Sequence, residues 1–355
     1  MTTKTTIDEA KLMQFLGKVV GDFGATASAA LVVIGDKLGL YKAMAGGRPV
    51  TPAELAQQTG TSERYLREWL INQAAGGYID YDATSGRFSL PAEHAMALAD
   101  ETSPAFVAGG FQLLTAIMKA SGRIAEAFRT GDGMLWGEHD ADLFEGTERF
   151  FRPGYIGNLV QSWLPALEGV PAKLEAGARV ADVGCGHGAS TIIMAQAFPR
   201  SRFFGFDNHA PSIEQARRLV ATAGVANRVT FDVAGATDFP GSGYDLVAFF
   251  DCLHDMGDPI GAASHACRAL SQDGTALIVE PMAGERIEEN LNPVGRVFSA
   301  ASVLCCTPNA VASGNVALGT IATEQQLRDV VTAGGFTRFR RATETPFNRV
   351  FEARP

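Results

Sequence analysis

The segment that most constrains this chain is a strand that runs directly into a glycine-rich loop and then into a helix. The strand is Arg179-Val180-Ala181-Asp182-Val183, the loop is Gly184-Cys185-Gly186-His187-Gly188, and a helix-forming segment follows. Glycines at alternate positions let the backbone turn tightly and come close to a ligand, and the helix presents free N–H groups to it. This order predicts an open α/β sheet that binds its ligand at the carboxyl ends of the strands.

The alternation of short apolar strands and helices continues to the end of the chain. Further strands are predicted over Phe203–Asp207, Arg228–Val233, Tyr244–Phe250 and Thr275–Glu280, a closing pair over Phe336–Arg341 and Phe347–Ala353, and helices over Ala189–Phe198, Ser212–Ala223 and Thr323–Gly334. The sequence therefore predicts a mostly parallel, Rossmann-like domain over residues 170–355.

Residues 1–100 show a different pattern, of helix, turn, helix and hairpin. Thr51 is placed to cap a helix that starts at Pro52, with Glu54 completing a capping box, and a second helix is predicted over Ser62–Ala75. Two short strands, Tyr78–Tyr81 and Arg87–Leu90, flank a turn. This order of elements is that of a winged helix.

An apolar helical stretch, Phe23–Leu40, precedes the winged helix and has almost no polar face. Such a helix needs a partner surface, so we expect residues 1–100 to form a winged-helix dimerisation domain and the protein to be a homodimer. Residues 101–169 are predicted to be helical and to form a linker and substrate-pocket region.

The charge balance argues against a nucleic-acid partner. Thirty Lys and Arg stand against 39 Asp and Glu, a net charge of -9, which repels nucleic acid and anionic membranes. Within the winged helix, Arg64 and Arg67 are matched by Glu63 and Glu68. We therefore expect no nucleic-acid binding, while a winged-helix regulator with a ligand-sensing domain stays open as an alternative.

Cysteine usage and the absence of targeting signals indicate a cytoplasmic protein. The five cysteines are an odd number scattered through apolar segments, which is typical of free thiols in a reducing compartment. The first residues contain no apolar signal segment. Polar residues interrupt the charge-free stretch Val297–Thr323, so we expect a buried wall of small residues there and no membrane partner.

Two carboxylates bracket the glycine loop and indicate the class of ligand. Asp182 lies two positions before the first glycine, where it would repel a pyrophosphate but attract an ammonium or sulfonium group. Asp207 ends the second strand, where a carboxylate accepts ribose hydroxyls. Asp182 therefore favours S-adenosylmethionine, whereas Asp207 supports any nucleoside ligand. Because Gly184-x-Gly186-x-x-Ala189 also fits a dinucleotide fingerprint, a nicotinamide-dependent oxidoreductase stays open.

The motifs 180–188, Gly205-Phe206-Asp207 and Asp251-Cys252-Leu253-His254-Asp255 resemble the successive motifs of class I S-adenosylmethionine-dependent methyltransferases. The whole chain resembles the winged-helix small-molecule methyltransferases, which include plant-type O-methyltransferases and their bacterial and mycobacterial relatives. The resemblance implies that the glycine loop holds the methionine part of S-adenosylmethionine and that Asp207 holds the ribose. The residues expected to bind the cofactor are Asp182, Gly184, Cys185, Gly186, Gly188, Asp207, Asn208, Gly235, Ala236, Phe250 and Asp251.

The resemblance also places a general base at His254, which Asp255 follows. In the plant-type enzymes two further acids orient this histidine; Glu280 matches the first, whereas the second falls on Ile321. A neutral imidazole can take a proton from a phenol or thiol as that group attacks the methyl carbon. We therefore expect His254, Asp255 and Glu280 to be the catalytic residues.

Other polar clusters carry weaker signals. His254, Asp255, Asp258 and Glu280 offer no convincing metal-ligand spacing, so the sequence predicts no metal, and Asp258 is expected to cap the next helix. The pair Cys305-Cys306 is expected to be buried and inert.

Taken together, the sequence predicts methyl transfer from S-adenosylmethionine to a small, apolar or aromatic molecule. O-methylation is favoured, with N- and S-methylation open. The acceptor pocket is expected from Phe150, Phe151 and Tyr155 and from the wall over Phe298–Thr320.

Overall fold

The computed structural model describes residues 7–314 and 316–355. These residues form two compact units, one through Thr115 and the other from Ala116 to Pro355. Each unit has its own buried core.

The first unit opens with a 29-residue helix, α1 (Glu9–Lys37), capped by the Asp8 side chain. The apolar helical stretch predicted over Phe23–Leu40 thus belongs to a longer helix, which begins at Glu9 and runs through Gly17 and Gly21 without a break. It ends at Lys37, since Gly39 takes a φ of 68° that few other residues adopt. Most of the residues of α1 before Ser28 are exposed.

The winged helix predicted from the sequence is present in this unit. Thr51 and Glu54 form the expected capping box, and Val50 pairs with Phe88 to extend the hairpin. The indole of Trp69 and the ring of Tyr41 pack together in the core, 5.2 Å apart. The elements are α2 (Leu40–Met44), α3 (Pro52–Thr59), α4 (Glu63–Ala75), β1 (Asp80–Asp82), β2 (Arg87–Ser89) and α5 (Ala92–Leu98).

The second unit is built on a seven-stranded sheet with the spatial order β5-β4-β3-β6-β7-β9-β8. Its strands are β3 (Arg179–Val183), β4 (Arg202–Asp207), β5 (Val229–Val233), β6 (Tyr244–Phe250), β7 (Leu270–Pro281), β8 (Arg338–Glu344) and β9 (Asn348–Arg354). The first five are parallel to one another, and β9 is antiparallel to β7 and β8. The chain order reverses at β3, between β4 and β6, which is where open α/β sheets bind ligands.

Helices cover both faces of this sheet. Val180 packs into one apolar cluster and its neighbour Ala181 into another, because successive side chains of a strand point to opposite faces. The helices from residue 108 onward are α6 (Ala108–Met118), α7 (Ser121–Thr130), α8 (Ala141–Asn158), α9 (Val170–Ala176), α10 (Ala189–Ala197), α11 (Ala210–Thr222), α12 (Pro259–Ala269), α13 (Pro293–Ala301), α14 (Thr307–Ser313) and α15 (Glu324–Ala333). Asp258 caps α12, as predicted.

The segment from α13 to α14 is less buried than the sequence analysis expected. Phe298, Cys305 and Ala310 are buried, but Val297 and Val303 are more than 40% exposed. A π-helical turn, Ser302–Cys306, joins the two helices. Such turns are rare and are frequently found at functional sites.

Candidate active site

A cavity of about 520 Å³ opens at the carboxyl ends of β3, β4 and β6. Its floor is formed by the loops that follow these strands, and its sides by α8 and by residues near α14. Nine of the eleven predicted cofactor residues line it, namely Gly184, Cys185, Gly186, Asp207, Asn208, Gly235, Ala236, Phe250 and Asp251. Asp182 and Gly188 are the two predicted cofactor residues outside this lining.

The glycine loop has the backbone that the sequence analysis expected. Gly184, Gly186 and Gly188 have φ values of 74°, 53° and 80°, which L side chains rarely adopt. A Cβ on Gly184 would lie 2.8 Å from Cys252 Sγ, and one on Gly188 would overlap the Phe231 ring. Gly188 therefore serves the packing of the loop, whereas Gly186 faces open space in the cavity wall.

Asp207 fixes this loop and also faces the cavity. One carboxylate oxygen accepts from the Gly186 N–H at 2.9 Å and the other from the His209 N–H at 2.8 Å. Burial raises the pKa of Asp207, although these two backbone N–H groups lower it. Each oxygen keeps a lone pair that can accept a hydroxyl group.

Asp182 lies beneath the loop and is fully buried. Its Oδ2 accepts from Ser190 Oγ at 2.6 Å and from Thr191 Oγ1 at 2.5 Å, while its Oδ1 has no hydrogen-bond partner. Burial raises its pKa to about 6 against the effect of these two hydroxyls. The carboxylate thus orients Ser190, which does line the cavity.

The segment after β5 forms the edge of the cavity near Asn208. The Gly235 N–H already donates to Asp238 Oδ1 at 3.0 Å. Gly235 presents no side chain, so the edge is shaped by backbone and by Ala236 and Thr237.

Asp251, at the end of β6, is a non-glycine residue with a positive φ, of 52°. Its Oδ1 accepts from Asn348 Nδ2 at 2.7 Å, and its buried Oδ2 has no partner. Burial raises its pKa well above the ordinary value, and Glu280 adds to this. Strain and an unpaired buried carboxylate oxygen at one residue are typical of a ligand-binding position.

His254 and Glu280 form a buried pair at the ends of β6 and β7. Glu280 Oε2 lies 2.5 Å from His254 Nδ1, and Oε1 accepts from the His254 N–H at 3.2 Å. The side chains are almost fully buried, at 4% and 1% exposure. Burial disfavours a charged imidazole and lowers the pKa of His254, but the Glu280 carboxylate and the Cys306 side chain together hold it well above the ordinary value.

Two neighbours surround this pair. Asp255 lines the cavity, and burial raises its pKa to about 7. Cys306, on the π-helical turn, brings its thiol within 4.8 Å of the ligating atoms of His254 and Asp255. The sequence analysis expected Cys305 and Cys306 to be alike, but Cys305 is buried and Cys306 is half-buried beside the histidine.

The acceptor side of the cavity is partly as predicted. Phe151 and Tyr155 line it, while Phe150 packs against Phe151 with ring centroids 5.0 Å apart. From the predicted wall, Asn309 and Ser313 contribute. The residues that sequence reasoning missed include Trp136, Phe144, Thr147, Glu148, His187, Ser190, Ser212, Thr237, Met256 and Asp258.

No sequence motif identifies Trp136 or Phe144 as cavity residues. Their rings lie 5.6 Å apart, and Phe144 stacks on His209 at 4.3 Å. The backbone N–H of Trp136 donates to Asn309 Oδ1, and Asn309 Nδ2 donates to the backbone carbonyl of Asp255. Long-range contacts of this kind, between residues far apart in the chain, are invisible to local sequence patterns.

Comparisons with known families match both parts of the chain. Residues 26–100 match an Rv2258c-like winged HTH domain, and residues 174–331 match a methyltransferase domain. The second match covers the glycine loop, Asp207 and the His254–Glu280 pair. The chain therefore combines a winged HTH domain with a methyltransferase domain.

A curated relative of the chain is 27-O-demethylrifamycin SV methyltransferase from Amycolatopsis mediterranei. It is 28% identical over 169 residues, which cover 45% of this chain and 57% of the relative. The matched part is thus somewhat more than half of the relative's length.

Solved structures show the same fold along almost the whole chain. Mitomycin 7-O-methyltransferase aligns with a TM-score of 0.70 and 20% identity, covering 98% of this chain and 100% of that one. Human N-acetylserotonin methyltransferase, solved with S-adenosylmethionine, aligns with a TM-score of 0.67 and 17% identity, covering 99% of both chains. The methyltransferase fold, and S-adenosylmethionine as the cofactor of its class, agree with the sequence analysis.

Proposed function

We propose that this methyltransferase moves the methyl group of S-adenosylmethionine to the oxygen of a small, apolar or aromatic molecule. The observation that carries the proposal is the buried Glu280–His254 pair beside a cavity that the glycine loop and Asp207 also line. A carboxylate that holds one ring nitrogen of a histidine leaves the other nitrogen available for proton transfer. Aromatic rings of Phe151, Tyr155 and Trp136 in the same cavity suit a flat apolar acceptor.

In the proposed cofactor site, the glycine loop and Asp207 bind the nucleoside. When bound, S-adenosylmethionine supplies a methyl group already activated by its sulfonium. Asp207 would accept the ribose hydroxyls, because each oxygen has one lone pair left beside its backbone partner. The unpartnered Oδ2 of Asp251 would face the cationic end of the cofactor.

In the proposed proton transfer, Glu280 holds the Nδ1–H of His254 and Nε2 accepts the proton of the acceptor hydroxyl. Asp255 lines the cavity, and its carboxylate lies within 4.8 Å of a ring nitrogen of His254, so an acceptor bound against Asp255 comes near the histidine. Alignment of the acceptor oxygen with the methyl carbon supplies much of the remaining acceleration. Glu280 does not touch the acceptor and is a positioning residue.

Binding of the cofactor is the first test. Isothermal calorimetry should show S-adenosylmethionine and S-adenosylhomocysteine binding with one site each, and the reduced nicotinamide dinucleotide not binding. Binding of the dinucleotide alone would overturn the proposal in favour of an oxidoreductase. A screen of phenols, thiols and amines for release of S-adenosylhomocysteine then identifies the acceptor atom, and turnover of phenols is the expected result.

The proposal extends to the setting in which the enzyme works. We infer a homodimer, because the exposed apolar residues of α1 need a covering surface. We infer no nucleic-acid partner, because Arg64 pairs with Glu68 at 2.6 Å and Arg67 with Glu63 at 2.5 Å. A mobility shift with duplex DNA that weakens with salt would contradict this.

Five free cysteines support a cytoplasmic location.

A further inference from the structure

The cluster of His254, Asp255 and Cys306 adds a thiol, which the proposed methyl transfer does not use, to two residues of the proposed active site. One imidazole nitrogen, one carboxylate oxygen and one thiol sulfur lie within 4.8 Å of one another. Bonds from Zn²⁺ to these ligand types are about 2.0–2.3 Å long. Three donor atoms this close together can therefore share one ion after small side-chain movements.

Glu280 prepares the histidine of this cluster for metal binding. Its carboxylate lies 2.5 Å from His254 Nδ1 and accepts the proton there, so the lone pair of Nε2 points away from Glu280. A carboxylate that orients a histidine in this way is the usual second partner in zinc sites, where it raises the basicity of the ligand. In the part of the chain that the structure describes, this arrangement gives the cluster three ligands and a supporting carboxylate.

The cluster also has an open side. Asp255 lines the cavity, and Cys306 is half-buried on the π-helical turn. Three protein ligands with access to a cavity match sites that bind Zn²⁺ with a solvent or substrate molecule in the fourth position. The mixture of sulfur, nitrogen and oxygen donors favours Zn²⁺ over Mg²⁺ or Ca²⁺, which prefer oxygen alone.

We propose that His254, Asp255 and Cys306 form a Zn²⁺ site and that zinc bound there inhibits methyl transfer. The inhibition follows because the metal and the acceptor proton need the same lone pair on His254 Nε2. This second part rests on the proposed function, whereas metal binding does not. Zinc would thus be an inhibitor of the enzyme.

Cobalt titration of the full chain tests the binding site. One equivalent of Co²⁺ should produce a thiolate-to-cobalt charge-transfer band, and added Zn²⁺ should remove it. Cys306→Ser should abolish the band, and Cys305→Ser, which alters the neighbouring thiol, should keep it. No band in the wild type, or an undiminished band in Cys306→Ser, would overturn the proposal.

Two further variants keep the test decisive if Cys306→Ser does not fold. Glu280→Gln should weaken Co²⁺ binding about 10- to 100-fold while keeping the band, as expected for a supporting carboxylate. Asp255→Asn should weaken it by at least a similar factor. Unchanged affinity in both variants would overturn the site.

Inhibition is measured separately, with S-adenosylmethionine binding as the reference. Zn²⁺ should stop turnover of the wild type at concentrations that leave Cys306→Ser active. If Zn²⁺ raises turnover, the inhibitory role is wrong. If S-adenosylmethionine fails to bind by calorimetry while the cobalt band is present, the proposed function fails and the metal site stands.

Discussion

The two ring nitrogens of His254 have separate tasks, and this makes the proposed mechanism testable at one residue. His254→Gln keeps a polar side chain but removes the base, so we expect turnover to fall about 100- to 10,000-fold. The affinity for S-adenosylmethionine should change little, because His254 does not line the cavity that the described residues form. Unchanged turnover with bound cofactor would remove the base from the mechanism.

The pH dependence of turnover reports on Glu280. Because this carboxylate holds the pKa of His254 well above the ordinary value, the imidazole becomes neutral only at higher pH. Only the neutral form accepts a proton, so kcat/KM should rise with pH, with an acid limb above 6.5. In Glu280→Gln we expect this limb to move to lower pH and the maximal rate to fall. A limb that does not move would show that Glu280 has only a structural role.

Cofactor binding should also release protons. Burial raises the pKa of Asp182 to about 6 and of Asp255 to about 7, so both carboxyls are partly protonated near pH 6.5. S-adenosylmethionine carries a positive charge that S-adenosylhomocysteine lacks, and a nearby cation favours the ionised carboxylate. Binding that releases protons becomes tighter as pH rises. Calorimetry at pH 6.5 in two buffers of different ionisation enthalpy should show more protons released with S-adenosylmethionine; equal release with both ligands would contradict this prediction.

Among the structural elements, the glycine loop contains one glycine, Gly186, that we expect to matter most for cofactor binding, and another, Gly188, that we expect to matter most for the stability of the domain. Gly186 has a φ of 53° and open space around its missing Cβ, whereas Gly188 has a φ of 80° and would overlap the Phe231 ring. Gly186→Ala should therefore cost about 1–2 kcal/mol of unfolding free energy from backbone strain alone. Gly188→Ala adds overpacking, for a total of about 2–5 kcal/mol.

Urea denaturation and calorimetry test this comparison, with each variant serving as the control for the other. Gly186 lines the cavity, so its new methyl group should weaken cofactor binding although the domain stays folded. The prediction is wrong if Gly186→Ala binds S-adenosylmethionine as the wild type does, or if it is the less stable of the two.

The same elements show which parts of the fold and of the site could be predicted from the sequence. The strand, loop and helix around Gly184 were predictable because glycine spacing and strand periodicity are local signals. The sequence analysis identified only the apolar part of α1, from Phe23 onward, whereas the helix begins at Glu9 and continues through Gly17 and Gly21. Neither Trp136 nor Cys306 could be placed at the site, since each reaches it through contacts with residues distant in the chain.

At the scale of the whole molecule, α1 presents an unpartnered apolar stripe. Leu12, Leu16, Val20 and Phe23 recur at helical spacing on one face and are 44–69% exposed. Among the described residues, α1 is the one helix whose length and composition would let it cross a membrane, and 22% of its apolar window is buried. The Lys18–Asp22 ion pair, with a separation of 2.6 Å, would be costly in hydrocarbon, so a second protein chain is the better covering surface.

A charge placed in this stripe should therefore separate the proposed homodimer into monomers. Leu16 and Phe23 are one heptad apart and face the same side, so Leu16→Glu combined with Phe23→Glu should convert the dimer into a monomer in light scattering coupled to size exclusion. Phe347→Glu replaces a phenylalanine that is 56% exposed elsewhere in the chain and should leave the dimer intact. A wild-type protein that is monomeric, or that floats with lipid vesicles unless the two substitutions are present, would show that the stripe has a different partner.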